Sequence, residues 1–472
     1  MRYLITAFLS FYSALCLAQA DSSRMLTLPA YLGIIRQFHP IARQADLLSE
    51  QAKATLRIAR GGFDPLLYSD YERKEFYGKN YYSFFSSELK VPGWFGIELK
   101  TGYDAAYGLN INPESNIPEN GIYYLGISLP VLKNMLIDKK RAELFKARLF
   151  VKSSQQERLL MLNDLLMDAV QSYYNWCEAE QIKSIYEEAL LAALVRYRAT
   201  VRTYELGDRA AIDTTEALTQ YQQRLFQLNE AGLNAQKARL IVSNFLWQSD
   251  NIPYTLPDNI QPQPIDSAFI DPLIRTPLES LDILLSQINA EHPVINQYTI
   301  KLKQLDIERK LRKEGLKPAL NINYNLLSPG FFNYTTPDSR VFTNYYKLGF
   351  NFSMPLTFAQ GRGELQQTRL KITDTKLQLT QKQRELETKL TGIYTELNML
   401  KGQINLYRET LKNYETLLKG ETRRFDIGES NLFLVNTREN TAITAEQKLI
   451  ELHFKYLENE AKLKWVLAAF TR

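Results

Sequence analysis

Hydrophobic positions in this chain follow two different periods. Leu365, Ile372, Leu379, Leu386, Ile393, Leu400, Tyr407 and Tyr414 recur every seven residues, and Leu390, Leu397, Ile404, Leu411 and Leu418 form a second row at three–four spacing from the first. Two such rows make the seam of a left-handed coiled coil. They predict one helix over about 360–424, on the order of 100 Å long at ~1.5 Å per residue. A counterpart of similar length is expected over about 135–203, on a less regular seam of Leu159, Leu162, Leu166, Tyr173 and Trp176. Helices this long exceed a globular core and point to an extended assembly.

The second period is two. Tyr346, Leu348, Phe350, Phe352 and Met354 alternate with polar or small residues, as do Leu320, Ile322, Tyr324 and Leu326. Tyr123, Leu125, Ile127 and Leu129 form a third series, and Phe95, Ile97 and Leu99 a fourth. Alternation puts one apolar and one polar face on a strand. At roughly ten residues, such strands are long enough to cross a bilayer when tilted. A half-buried antiparallel sheet in a soluble protein has the same pattern.

The two periods occur twice in the same order. At a fixed offset of 253 residues, Leu32, Ile35, His39, Pro40, Gln44, Gln51, Gly62, Pro65, Leu67 and Tyr71 meet identical residues, including His292-Pro293, Gly315, Pro318, Leu320 and Tyr324. Ser128-Leu129-Pro130 then matches Ser353-Met354-Pro355, and Tyr204-Glu205-Leu206-Gly207-Asp208 matches Phe425-Asp426-Ile427-Gly428-Glu429. Each half reads as a helix of roughly 35 residues ending at glycine, then strands, then a very long helix, a glycine break and a returning helix of about 40 residues. Glycine at positions 207 and 428 permits a turn with φ > 0 that reverses the chain. Between the halves, Gln248 to Pro277 contains Pro253, Pro257, Pro262, Pro264, Pro272 and Pro277; it reads as a linker without helix. The expected organisation is therefore a first repeat over 21–247, a linker over 248–277 and a second repeat over 278–472.

The halves differ in one stretch. Pro65 to Pro130 spans 65 residues and Pro318 to Pro355 spans 37, a surplus of 28. The surplus includes residues 84–99 and reads as an extra hairpin turning at Pro92-Gly93. Asn110 to Gly121, with Pro113 and Pro118, reads as a surface loop.

Residues 1–20 read as a signal peptide: Arg2, an apolar run from Leu4 to Leu17, and a small-x-small site at Ala18-Gln19-Ala20. Cys16 follows Leu15 rather than a small residue, which argues against lipidation. Past the leader no run of 18 apolar residues occurs. Removing Arg2 leaves 56 basic against 52 acidic residues, a balance of +4 that does not suggest nucleic-acid binding. Cys177 is then the only cysteine, so no internal disulfide forms. The 28 tyrosines fit the aromatic girdles of a membrane barrel.

Catalytic chemistry has no constellation to rest on. His39 and His292 are repeat-equivalent residues before proline, which makes them structural, and Cys177 has no sequence-local partner. Gly361-Arg362-Gly363 is too sparse for a phosphate loop. The expectation is a protein that is not an enzyme and that uses no cofactor or metal.

The order of helix, strands, long helix, glycine turn and helix, given twice behind a signal peptide, resembles the TolC-like outer-membrane factor (outer membrane efflux protein) family from about Leu26 to the C-terminus. The turns Tyr204-Glu-Leu-Gly-Asp-Arg-Ala-Ala-Ile-Asp213 and Arg424-Phe-Asp-Ile-Gly-Glu-Ser-Asn431 resemble the family's tip motif. The resemblance implies a mixed α and β fold: an internally duplicated protomer of a trimeric outer-membrane β-barrel, continued by a long periplasmic α-helical barrel of coiled-coil hairpins. Each of three protomers would bring two strand pairs to a twelve-stranded barrel. An open strand edge in lipid is prohibitive, so strands from one chain need neighbours in any case.

The implied function is an outer-membrane exit duct of a tripartite efflux pump or type I secretion system, working passively with a periplasmic adaptor and an inner-membrane pump. By the same resemblance, Tyr204, Arg209, Asp213 and Glu216 match positions where side chains tie the tips together. Their second-repeat equivalents are Phe425, Ser430, Leu434 and Thr437. The charged set stands here in the first repeat, a departure from the family's best-known form. Tyr204, Gly207, Arg209, Asp213, Glu216, Arg424, Phe425, Gly428, Ser430 and Asn431 make the expected gate and adaptor contact. A soluble periplasmic coiled-coil scaffold is the alternative; it leaves the duplicated strand–hairpin unit unexplained.

Overall fold

The structure, a computed structural model, describes residues 25–108, 111, 117–329 and 345–471. The expected signal peptide, and half of the loop expected from Asn110 to Gly121, lie outside the described residues. The chain forms two compact units. One is built from the described residues within Met1–Leu47, Glu157–Pro293 and Lys382–Arg472, the other from those within Leu48–Gln156 and Val294–Gln381. Both units thus draw on both halves of the sequence.

The helices are α1 (Leu28–Phe38), α2 (Pro40–Gly61), α3 (Lys139–Glu205), α4 (Ala211–Ser243), α5 (Ser267–Arg275), α6 (Leu281–Glu291), α7 (Pro293–Glu314), α8 (Ala359–Asp426) and α9 (Leu432–Val466). The two long helices, of 67 and 68 residues, form as the heptads predict. Leu390, Leu397, Leu400 and Ile404 of that seam are almost wholly buried. The returning helices are 33 and 35 residues, somewhat shorter than expected.

Each expected 35-residue opening helix is in fact two. The break falls at His39-Pro40 in the first half and at His292-Pro293 in the second. His39 (ψ 133°) and His292 (ψ 129°) are extended. The ring of the following proline disfavours the helical region for the residue before it, and proline itself opens the next helix at its first position. Both histidines are buried. His39 stacks on Phe245 and meets Trp247 edge-on, and its Nδ1 accepts a hydrogen bond from the Ile41 amide at 3.2 Å. Burial holds its pKa below the ordinary histidine value.

The proline-dense stretch is also more ordered than expected. Gln261–Pro262 forms a short strand, β6, that pairs in parallel with β1 (Met25–Leu26). Ser267–Arg275 is helical despite Pro272. Asp266 caps it by accepting from the Phe269 amide at 3.0 Å, and Ile270 and Ile274 bury its apolar face. One lost backbone bond in so short a helix is offset by that burial and cap.

The second unit is organised on one antiparallel sheet, in the order β2 (Leu66–Phe76), β3 (Lys79–Pro92), β4 (Glu98–Tyr107), β5 (Ile122–Pro130), β7 (Ala319–Ser328) and β8 (Tyr346–Ser353). It holds six strands where the family resemblance implied four. The surplus residues make the difference: β3 and β4 are a hairpin joined through a turn at Gly93, whose amide donates to the Ile97 carbonyl at 2.7 Å. The series Phe95, Ile97, Leu99 is accordingly not one strand. Trp94–Gly96 is a single 3-10 turn with Phe95 at φ 64°, and the strand starts at Glu98. The chain turns there through two successive residues of positive φ, Phe95 and Gly96 (φ 74°).

Cross-strand register gives the sheet two distinct faces. One row runs Leu67, Leu89, Thr101, Leu125, Leu326, Tyr346. The row beside it on the same face runs Val91, Leu99, Ile127, Tyr324, Leu348. The opposite face is polar. There Tyr124 donates to Glu88 at 2.8 Å across Gly102, Ser86 donates to Asp104 at 2.7 Å, and Lys90 pairs with Glu88 at 2.9 Å. A Cβ at Gly102 would lie 2.6 Å from the Tyr124 ring, so this crossing needs glycine.

Candidate functional site

The two glycine turns come together in the helical unit. At the first, α3 ends at Glu205 and Gly207 adopts φ 83°. The Asp208 amide donates to the Thr203 carbonyl at 3.0 Å and the Gly207 amide to the Tyr204 carbonyl at 2.9 Å. At the second, Gly428 also adopts φ 83°, the Glu429 amide donates to the Arg424 carbonyl at 2.8 Å, and the Gly428 amide to the Phe425 carbonyl at 3.1 Å. Both are Schellman caps, which satisfy the last carbonyls of a helix only where a left-handed residue reverses the chain. A Cβ on either glycine would meet nothing within 4 Å, so backbone conformation alone demands glycine.

The turns differ in side chains. Asn431 caps α9 by accepting from the Leu434 amide at 2.9 Å. Its repeat equivalent, Ala210, leaves the start of α4 without a side-chain cap. Arg209 bridges the two turns: its guanidinium lies over the Phe425 ring at 4.1 Å from the centroid, and Asp213 approaches it at 3.9 Å. Ser430 donates to Glu421; Arg424 lies 3.9 Å from Glu421 and donates to the Glu429 carbonyl at 3.3 Å. Glu216 accepts from Asn436 at 3.2 Å, which again ties the first hairpin to the second. Tyr204 is 45% exposed and makes no such tie. Leu434 is partly exposed, and the Thr437 hydroxyl bonds only to the Phe433 carbonyl of its own helix.

Below the turns lies a buried charged knot. Arg196 of α3 holds Glu439 of α9 with two hydrogen bonds, at 2.9 and 3.0 Å, and also donates to Asn436 at 3.1 Å. Arg224 of α4, 1% exposed, stands 3.6 Å from Glu439 and donates to Asn440 and Gln227. Burial pulls the Arg224 pKa down, and Glu439 opposes that pull. Its Nε finds no hydrogen-bond partner. One carboxylate thus fastens three helices through two guanidinium groups. None of Arg196, Arg224 and Glu439 was singled out from sequence. Glu439 and Arg224 each stand once among the apolar and small residues of a buried helix face, which was the available signal.

The turns also expose apolar side chains. Leu206 and Ile212 are each 70% exposed, Ile427 and Phe433 each 65%. They were likewise not singled out as site residues.

Among the described residues, no group of three or more His, Cys, Asp or Glu could hold a metal ion. Burial pushes the Cys177 thiol up to about 12, which keeps it protonated and unreactive. Burial beside Arg408 pulls His453 down to about 4. No described helix is long and apolar enough to cross a membrane.

Comparison with known proteins supplies the remaining context. The family model described as outer membrane efflux protein matches residues 284–469. No curated protein matches the sequence. Among solved structures, the Campylobacter jejuni CmeC outer membrane channel is 14% identical, with a TM-score of 0.64 over 94% of this chain and 85% of that one. The Neisseria gonorrhoeae MtrE outer membrane channel, in its open state, is 15% identical, with a TM-score of 0.65 over 94% of this chain and 89% of that one. The outer membrane protein VceC from Vibrio cholerae is 12% identical, with a TM-score of 0.64 over 93% and 96%. At these identities the likeness shows the fold, and it bears out the mixed α and β class; the family match over residues 284–469 agrees with the TolC-like resemblance.

Proposed function

We infer that this chain, an outer membrane efflux protein across residues 284–469 and folded like such channels along nearly its whole length, is the outer-membrane exit duct of an efflux pump. The observation that carries this reading is the pairing of that family match with a two-faced sheet whose strands feed paired helices of 67 and 68 residues. The duplication assigns residues 21–247 and 278–472 to two repeats joined by 248–277. The protein is a homotrimer in the outer membrane, its sheet contacting lipid and its helices lining a periplasmic tunnel. An inner-membrane pump supplies the energy and a periplasmic adaptor docks on the glycine turns. Cargo passes without bond making or breaking.

The turns form the gate. Arg209 over Phe425 and the Asn436–Glu216 bond hold the two hairpins of one copy together, and Asp213 steadies Arg209 from within the first turn. The exposed Leu206, Ile212, Ile427 and Phe433 offer the adaptor an apolar seat. Opening is a two-state shift in which the adaptor binds the parted hairpins better than the closed ones. That one similar channel was captured in an open state supports such a shift in this fold.

The test is to extract the mature protein from outer membranes in mild detergent and measure its mass, then its conductance in planar bilayers. A detergent-dependent trimer is expected. Arg209→Ala combined with Asp213→Ala should raise resting conductance. Release of a monomer without detergent would refute the duct, and unchanged conductance in the double variant would refute the gate.

A further inference from the structure

We propose that all six strands of the sheet stand in the wall of the assembled barrel, β2 of one copy pairing antiparallel with β8 of the next. Three copies then close eighteen strands, not twelve. The proposal rests on the trimeric duct inferred above and concerns how its wall is built.

The position of the inserted hairpin is the first ground. Pro65, Leu67 and Tyr71 align with Pro318, Leu320 and Tyr324, so β2 is the repeat equivalent of β7. Ser128-Leu129-Pro130 aligns with Ser353-Met354-Pro355, so β5 is the equivalent of β8. In the second repeat β7 and β8 are direct neighbours, whereas β3 and β4 separate β2 from β5. The surplus of 28 residues is thus a hairpin set between two wall strands and hydrogen-bonded on both flanks. A decoration hung on the barrel would pair on one side only. If β2 and β5 are both in the wall, β3 and β4 are there with them.

The faces are the second ground. The inserted strands carry Phe85, Leu89, Val91, Leu99, Tyr103 and Ala105 on the face that Leu125, Ile127, Tyr324, Leu326, Leu348 and Phe350 continue. Their other face bears Glu88, Lys90, Lys100 and Asp104. This is the lipid-out, polar-in alternation of a barrel wall.

The edges are the third ground. β2 and β8 end the sheet, and Leu67, Tyr71, Phe350 and Phe352 on them are each more than 60% exposed. Six alternating strands leave the two edges running in opposite directions, so an edge-to-edge ring of copies is antiparallel throughout. An unpaired edge in hydrocarbon costs several kcal/mol for each bare backbone group, so closure is required.

Tilt agrees with this. Along the register, Leu67 of β2 lies level with Tyr346 of β8, which is six residues from Phe352, where the apolar run of β8 meets the helical side. Six residues at ~3.3 Å is about 20 Å along the strands, against about 24 Å across five strand gaps of ~4.8 Å. The apolar band therefore climbs at about 40°, inside the ~35–45° tilt that barrel strands adopt. Continued over the sixth gap, the slope sets Phe352 of the neighbouring copy level with Leu67 to Ser69. Since barrel diameter grows roughly linearly with strand number, the wall is about 1.5 times as wide as one of twelve strands.

Cysteine cross-linking in intact outer membranes tests this, because Cys177 is buried and leaves the background silent. Phe352→Cys is combined in one chain with Leu67→Cys, with Ser69→Cys, or with Thr101→Cys on β4. After oxidation, covalent dimers and trimers on non-reducing gels are expected for at least one of the two β2 pairs and not for the β4 pair. Links through Thr101→Cys instead would show β8 of the neighbour on β4, with β2 and β3 outside the wall, and would overturn the proposal. Absence of any link in a protein that remains trimeric in detergent would overturn it equally. A protein that is monomeric, or released without detergent, would instead sink the duct reading on which the proposal stands.

Discussion

Glu439→Gln is the perturbation that reports most directly on how the helical hairpins are held. The native carboxylate is 6% exposed and faces two guanidinium groups. The amide keeps the shape and can accept one hydrogen bond, but it removes the only negative charge that either arginine is seen to contact. Removing one partner of a buried pair costs about 3–5 kcal/mol, because the other charge stays desolvated. The two arginines divide that cost unequally. The Arg196 side chain is 21% exposed and recovers some hydration, whereas Arg224 at 1% cannot. A loss near the lower end, about 3 kcal/mol, is therefore expected. It should appear as a lower midpoint in denaturant titrations of the detergent-solubilised protein, with the slope unchanged. Adding Arg224→Met to Glu439→Gln should restore part of the loss, since the stranded charge goes with it. The same variant should conduct more at rest, because the knot joins α3, α4 and α9. A destabilisation under about 1 kcal/mol, or no recovery in the double variant, would refute the claim that a buried charge is being neutralised there.

Three further outcomes follow from the turns and the core. Gly428→Ala should destabilise by about 1–2 kcal/mol through its positive φ alone, since its Cβ meets no neighbour, and Gly428→Asn should recover much of this; thermal melting of both variants decides it. Ala210→Asn should stabilise by about 1 kcal/mol by supplying the cap that Asn431 provides in the other turn, read as a raised melting temperature. His453 titrates at about 4 when folded against about 6.5 when free, so the unfolded chain takes up its proton first. Stability from this residue is complete above pH 6.5 and falls as pH drops towards 4; His453→Leu should flatten denaturation midpoints over that window.

What the sequence disclosed depended on how local each feature is. The glycine turns were legible because a Schellman cap asks for one residue type at one place, and the chain supplies it twice. The long helices were legible because seven-residue spacing survives whatever packs against it. β2 was not singled out, for a physical reason: from Asp70 to Glu75 it carries charge on both faces, so the period of two disappears. The turn at Gly93 was anticipated, yet its apolar Phe95 was assigned to a strand that starts later. The helix breaks at His39 and His292 follow a rule that acts on the residue before proline, and the helical period across them hid it. The Arg196–Glu439 contact joins residues 243 positions apart, and seam spacing does not say which charges will meet.

The two Schellman turns share one backbone and almost no side chains: Arg209 faces Ser430 in the alignment, Asp213 faces Leu434, and Ala210 faces Asn431. Because the backbone is set by glycine, duplication could leave the scaffold alone while the chemistry on it diverged. In the proposed trimer the rim therefore alternates, three seats of one kind between three of another. An adaptor offering identical segments to that rim would meet two affinities. It would fill half the seats first and the rest only at higher concentration, so the number of adaptors per duct becomes a property that cells can set by expression level rather than a constant of the assembly.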